Sequence, residues 1–158
     1  MNLFKDIRDL LLEALENMVA SGELISGLDF SNVTVEPPRD PLHGDMATNA
    51  AMVLAKPSSQ NPREIAEKLS KHLMTDPRIS FVDVAGPGFL NLRLSLEVWR
   101  GLVSDILRKG NDFGRSYIGS GKSVIVEFVS ANPTGPLHVG HTRGAVFGDA
   151  LADLLSYV

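Results

Sequence analysis

Two histidines, His138 and His141, stand three residues apart where the loop Ser130-Ala-Asn-Pro-Thr-Gly-Pro-Leu137 gives way to a helical apolar pattern. Imidazole donors held at that point can stabilise negative charge developing on a phosphate under attack at phosphorus. Gly140 between them lets an anion approach the backbone, and the N–H groups of a helix start favour negative charge. The run Val124–Val129 before the loop is almost unbroken, β-rich and apolar, as strands buried in parallel sheets are. A strand, a loop and then a helix is the arrangement in which open α/β sheets bind ligands at their strand ends. Two surface histidines near a helix cap are the bland reading of this motif; the strand–loop–helix context favours a nucleotide. Zinc fits poorly, because no further ligand is nearby.

Glu127 lies inside the apolar run, where an unpaired carboxylate is costly unless a cation or donor meets it. Simple exposure on one strand face is the alternative. Gly119-Ser-Gly-Lys-Ser123 is not a P-loop: Ser116 stands where the first glycine belongs, and the segment precedes a strand instead of following one.

A second constellation lies upstream. Along Phe89–Leu94 the side chains alternate strictly, with Leu90, Leu92 and Leu94 on one face and Phe89, Asn91 and Arg93 on the other. With the leucines in the core, the opposite face offers a ring that can stack a base, an amide that can hydrogen-bond its edge, and a guanidinium that can pair a phosphate. On alternation alone an ordinary half-exposed strand is the simpler reading, since scattered exposed aromatics need no explanation.

The elements that must position these groups follow from periodicity and caps. Leu3, Ile7, Leu10, Leu11, Ala14, Leu15 and Met18 recur at helical spacing and predict an amphipathic helix ending near Gly22. Val33–Glu36 reads as a short strand stopped by Pro37-Pro38, with residues 39–44 as loop. Asp45 is expected to cap a helix over Met46–Lys56, and Asn61, Pro62 and Glu64 to open another running to Leu73. Ile79–Val84 and Phe89–Leu94 flank Gly86-Pro87-Gly88 as a hairpin. Ser95 then caps a helix with Leu96, Trp99, Leu102, Val103, Ile106 and Leu107 on one side, closed by Gly110. The fold class is α+β: helices packed on a small antiparallel sheet. Residues 111–122 read as linker, and 123–158 as the first β-loop-α unit of a Rossmann-like α/β domain that ends before a second strand. Gly140, Gly144 and Gly148 leave a smooth helix face for close packing.

Composition narrows the class without choosing the function. With 44% apolar and 22% charged residues the 158-residue chain is that of a soluble globular protein. The longest uncharged apolar run is too short to span a bilayer, so no membrane partner is expected and a cytoplasmic address fits. Cysteine is absent, which excludes disulfides and thiolate metal sites. A net charge of −4 argues against indiscriminate nucleic-acid binding but allows a local binding surface.

The stretch from Val124 to Gly144, VIVEFVSANPTGPLHVGHTRG, closely resembles the signature that opens the catalytic domain of bacterial-type, class I arginyl-tRNA synthetases. Before it, Gly44-Asp-Met-Ala-Thr-Asn-Ala-Ala51, Asn61-Pro-Arg-Glu-Ile-Ala66 and Gly86-Pro-Gly-Phe-Leu-Asn91 resemble the appended N-terminal domain of that family, in the same order. The resemblance implies a division into an appended tRNA-contacting domain over 1–110, a linker over 111–122, and the start of the catalytic domain over 123–158. It also implies a parent reaction: arginine is activated by ATP to arginyl-adenylate and transferred to tRNA(Arg), with magnesium accompanying ATP and no tightly bound metal.

By that resemblance His138 and His141 are the class I "HIGH" histidines, with Val139 in place of isoleucine, and with Gly140 they contact ATP. Glu127 helps receive the substrate guanidinium, and Ser130 and Asn132 contact the amino acid's main-chain groups. Phe89 and Asn91 match the pair that stacks on and hydrogen-bonds a base of the tRNA D-loop, and Arg93, on the same strand face, completes the expected tRNA-binding set. The rest of the Rossmann domain, the KMSKS-type loop and the anticodon-binding domain are missing, so the chain alone is expected to be inactive. Its segment after Lys122 is expected to be poorly ordered, repacked or covered. The rival readings are a stand-alone RNA-binding module with a vestigial catalytic tail and, more distantly, a small H-x-G-H nucleotidyltransferase.

Overall fold

Asn2 opens the first helix by accepting the Lys5 backbone N–H at 3.2 Å, a side-chain cap that satisfies one of the donors a helix start leaves free. The helix, α1, runs Leu3–Ala20 and buries the stripe of Ile7, Leu10, Leu11, Ala14, Leu15 and Met18 that its periodicity predicts. The computed structural model describes residues 2–38, 40–132 and 134–158. It resolves into two compact units, Met1–Gly110 and Asn111–Val158.

The first unit carries the sheet. β1 (Val35–Glu36), β2 (Met46–Thr48), β3 (Ile79–Ala85) and β4 (Phe89–Leu94) form one antiparallel sheet in the order β1-β2-β4-β3. β4 is therefore a central strand. α2 (Ala50–Ser58) packs on α3 (Pro62–Leu73), which packs on α1, and Leu54, Ile65, Leu69 and Leu73 join Leu90 and Leu92 in the core with no exposed surface. Each such leucine contributes about 1.5–3 kcal/mol by leaving water. Asn61 caps α3 by accepting the Arg63 N–H at 2.9 Å, and Pro62 occupies the first turn, as expected.

The segment after Gly44 departs from its sequence reading. Met46–Thr48 is a strand, and the helix begins only at Ala50, after Asn49. The Asp45 carboxylate caps no helix; it accepts the Leu94 N–H at 2.8 Å, while the Asp45 N–H donates to the Leu92 carbonyl at 2.8 Å. Pairing with β4, in the register Met46↔Leu92, Ala47↔Asn91 and Thr48↔Leu90, outweighs the helical propensity of Met and Ala. Gly44 makes the approach possible, for a Cβ there would lie 2.7 Å from the Leu92 carbonyl oxygen. α2 also runs past Pro57 to Ser58, whose hydroxyl donates to the Leu54 carbonyl at 2.7 Å. Residues Pro41–His43 of the expected loop form a 3₁₀ turn, with the Leu42 N–H donating to the Asp40 carboxylate; Arg39 lies outside the described residues.

α4 (Leu96–Lys109) forms where Ser95 and Gly110 bracket it, but the Ser95 side chain makes no capping bond and the helix buries none of its residues. Leu96, Val103 and Leu107 are exposed, and Val98 alone of its apolar residues rests against the core.

In the second unit, α5 (Val139–Tyr157) is the one long element. The expected strand over Val124–Val129 does not form: the segment has no regular structure, joins no ladder, turns at Val129 with φ 55°, and leaves Ile125 96% exposed. A β-rich run becomes a strand only when another strand offers its N–H and C=O groups, and within Asn111–Val158 none of the described residues does. The Phe128 ring instead lies against Gly148, the buried residue of α5, where a Cβ would overlap it. Residues 111–122 turn back along the end of α5: Tyr157 donates its hydroxyl to the Asn111 and Phe113 carbonyls, and Gly119 donates its N–H to the Val158 carbonyl at 3.2 Å.

Candidate nucleic-acid interface and nucleotide loop

Alternation along β4 holds for the leucines, since Leu90, Leu92 and Leu94 are all buried. The other face is less uniform than alternation predicts. Phe89 is 45% exposed, whereas Asn91 is only 6% exposed. Burial of Asn91 follows from its place on a central strand, paired through Ala47 on one side and Asp83 on the other.

Over this face opens a cleft of about 520 Å³, walled by Phe89 and Asn91 from β4, Ala47 and Thr48 from β2, Asn49, the Thr34–Pro38 segment, His43, and Ala85-Gly86 of the hairpin turn. The Asn91 amide receives no hydrogen bond and gives none among the described residues, yet none of its polar atoms is sealed from solvent. Its donors and acceptor therefore face the cleft unspent, and a buried amide left so needs a ligand or water to satisfy it. An aromatic ring at the mouth and a free amide at the floor suit one planar base.

Asn49 has a different duty. Its Oδ1 accepts the Thr34 N–H at 2.9 Å and its Nδ2 donates to the Asn32 carbonyl at 3.2 Å, which fixes the opposite wall. Thr34, Glu36, His43 and Asn49 carry no signal in the sequence as site residues, for the cleft that they wall exists only once the helix-prone β2 pairs with β4. Arg93 does not line the cleft. Its Nη2 donates to the Leu42 carbonyl at 2.9 Å, holding the 3₁₀ turn against β4.

In the second unit His138 is the N-cap of α5, and the two histidines cap each other. His138 Nδ1 accepts the Gly140 N–H at 3.1 Å, and His141 Nδ1 accepts the His138 N–H at 3.1 Å. The rings lie with centroids 3.9 Å apart. Because each Nδ1 is an acceptor, each neutral ring carries its proton on Nε2. Two N–H donors are thus presented from one helix start, where an anion is favoured.

Glu127 and Ser130 are brought together, the Ser130 hydroxyl donating to the Glu127 carboxylate at 2.5 Å, and both are exposed. Asn132 is also exposed and makes no side-chain bond among the described residues; Pro133 lies outside them. No group of three His, Asp or Glu side chains that could hold a metal ion occurs among the described residues. None of their helices is long and apolar enough to cross a membrane.

Residues 5–94 match the family described as the arginyl tRNA synthetase N terminal domain. This chain belongs to that family. Residues 102–158 match the catalytic domain family of class I (R) tRNA synthetases. The arginine–tRNA ligase of Ruegeria pomeroyi is 66% identical over 157 residues, 99% of this chain and 27% of the relative, and that of a Jannaschia species 67% identical over 155 residues, 98% and 27%. The chain thus spans about a quarter of the length of the curated relatives it matches. Among solved structures, Thermus thermophilus arginyl-tRNA synthetase is 30% identical with a TM-score of 0.62, covering 98% of this chain and 23% of that one. The Plasmodium falciparum arginyl-tRNA synthetase has a TM-score of 0.73 at 16% identity, covers 98% of this chain and 28% of that one, and shows the likeness of fold alone.

Proposed function

We propose that this chain supplies an arginine–tRNA ligase with its tRNA-contacting surface and with the ATP-phosphate end of its active site. The observation that carries the first half is Asn91: a side chain 6% exposed, unspent among the described residues, and set beside the exposed Phe89 ring at one cleft. A stacked base whose edge meets that amide satisfies both groups at once. Residues 1–110 are then the appended tRNA(Arg)-contacting domain, 111–122 the connection, and 123–158 the start of the catalytic domain. Arg93 acts in this reading by holding the 3₁₀ turn beside the cleft.

For the second half, the arginine carboxylate attacks the α-phosphorus of ATP, a new P–O bond forms, and pyrophosphate leaves with the electrons of the broken one. The Nε2–H groups of His138 and His141 donate to phosphate oxygens as charge builds there, and Gly140 gives the chain room to approach. Glu127 pairs the substrate guanidinium while Ser130 and Asn132 hold its main-chain groups. Magnesium, arriving with ATP on its phosphate oxygens, would neutralise charge there. The adenylate then passes its arginyl group to the tRNA. A cytoplasmic site of action fits this reaction.

The test replaces the aligned 157 residues of the Ruegeria pomeroyi ligase by this chain. The chimera should arginylate tRNA(Arg), and Phe89→Ala or Asn91→Ala in it should raise the KM for tRNA about fivefold to a hundredfold, as losing a 1–3 kcal/mol base contact does. The KM values for ATP and arginine should stay as they were. An unchanged tRNA KM in both variants would remove the tRNA reading. A chimera that binds tRNA but never activates arginine would favour the stand-alone RNA-binding module.

A further inference from the structure

Among the described residues the lining of the cleft that takes the base holds no lysine or arginine, and its one permanent charge is the Glu36 carboxylate. A nucleotide seated in it still brings a phosphate, held outside the base pocket by its sugar, and the binding of RNA rests largely on cations that meet such phosphates. Two described arginines on neighbouring elements have their guanidinium groups engaged with backbone: Arg93 donates to the Leu42 carbonyl at 2.9 Å and Arg8 to the Val33 carbonyl at 3.0 Å.

Arg63 is placed differently. It stands in the first turn of α3, and its Nη1 reaches the carbonyl of Gly86, a residue of the cleft rim, at 3.4 Å. Its Nε meets the Glu67 carboxylate at 3.3 Å, and the side chain remains 59% exposed. Both bonds are long, and the Nη2 donors have no partner among the described residues, so most of the guanidinium fork is unspent. The helix itself does not favour a cation here. The start of a helix attracts anions, and an arginine placed before its glutamate in an i, i+4 pair is the weaker orientation. Gly88 of the hairpin turn sits directly on the Pro62 backbone, which brings the chain at Arg63 beside the chain at Phe89.

We infer that Arg63 is the phosphate-binding residue of this cleft, pairing the backbone phosphate next to the nucleotide whose base meets Phe89 and Asn91. The inference rests on the proposed tRNA-contacting role of the cleft and adds to it a ligand group and a residue. Phe89 and Asn91 discriminate and stack; Arg63 supplies the salt-dependent part of the affinity.

The 158-residue chain and its Arg63→Gln, Arg63→Lys, Phe89→Ala and Asn91→Ala variants are titrated with a tRNA(Arg) transcript across a series of KCl concentrations. Arg63→Gln should weaken binding and lower the slope of log K against log [KCl] by about 0.7 to 0.9, the release of one counterion. Arg63→Lys should keep the slope, since it keeps the charge, and Phe89→Ala should lose affinity with the slope unchanged. If Phe89→Ala weakens binding while Arg63→Gln retains the wild-type affinity and slope, the Arg63 assignment fails and the cleft stands. Lost affinity in Arg63→Gln at an unchanged slope, not restored in Arg63→Lys, assigns Arg63 to support of the hairpin turn and likewise overturns the inference. Should the wild-type chain fail to bind, or all variants bind as it does, the reading of the cleft and this inference fall together.

Discussion

Gly88 and Pro62 touch backbone to backbone: a Cβ on Gly88 would lie 2.9 Å from both the carbonyl carbon and the carbonyl oxygen of Pro62. Gly88 also has φ +148°, a conformation that L side chains rarely adopt. The contact locks the β3–β4 turn to the start of α3, and so sets the rim of the cleft relative to the floor that β4 provides. Gly88→Ala should therefore destabilise the first unit by roughly 1–3 kcal/mol, the range for a strained backbone position. Urea unfolding followed by circular dichroism measures it. A midpoint within error of wild type would mean that the turn is free to move off α3.

Asp76 and Arg78 predict an acid limb. Asp76 accepts from Arg78 Nε at 2.9 Å, from Arg78 Nη2 at 2.8 Å and from the Arg78 backbone N–H at 2.8 Å. The Arg78 guanidinium holds the carboxyl below its ordinary value of 3.8. A carboxyl whose folded value is depressed contributes stability that is complete above the unfolded value and disappears as pH falls through the folded one. Wild type should lose stability as pH drops below about 3.8, and Asp76→Asn should be less stable at neutral pH but flatter over that acid range. Denaturant midpoints taken from pH 7 down to pH 2 would show it. Parallel curves for the two proteins would exclude a role for this pair.

The reciprocal caps of His138 and His141 separate two jobs by atom. Nδ1 of each ring accepts a backbone N–H and belongs to the helix start; Nε2 of each is left to donate. Asparagine reproduces a group at the Nδ1 position, and glutamine reaches the Nε2 position. In the chimeric ligase, His138→Asn or His141→Asn should keep α5 and slow adenylate formation by about a hundredfold or more, the cost of one preorganised donor. Glutamine should recover part of the rate. Single-turnover measurements with tRNA present give the answer, and wild-type rates in the asparagine variants would end the catalytic assignment.

What the sequence discloses here depends on whether a signal is local. The cap at Asn61, the core stripe of α1 and the hairpin around Gly86-Pro87-Gly88 are local, and each stands where the spacing puts it. β2 is not local. Met46-Ala-Thr48 is helix-prone by composition and becomes a strand only because β4 lies beside it, and with β2 went the walls of the cleft. The stripe on α4 and the run Val124–Val129 show the converse failure. Periodicity correctly marks the apolar side chains but cannot say what meets them, and within this structure they stay largely exposed. Asn91 illustrates both. Alternation puts it on the right face, but its depth comes from neighbouring strands that the alternation does not contain.

That depth yields the last prediction. The Asn91 amide makes no hydrogen bond with the described residues and reaches solvent only through the cleft, so an apolar side chain of similar volume there gives up no bond that the fold is seen to use. Asn91→Leu should consequently fold as well as wild type or better, while binding of tRNA(Arg) falls by roughly fivefold to a hundredfold for want of the amide. Such a split, with stability held and binding lost, is the mark of a residue kept for a ligand and not for the fold. Thermal melts and tRNA titrations on the same preparation test both halves. A variant that unfolds easily would show that the amide is satisfied within the protein, and one that binds tRNA normally would show that no base reaches the floor of the cleft.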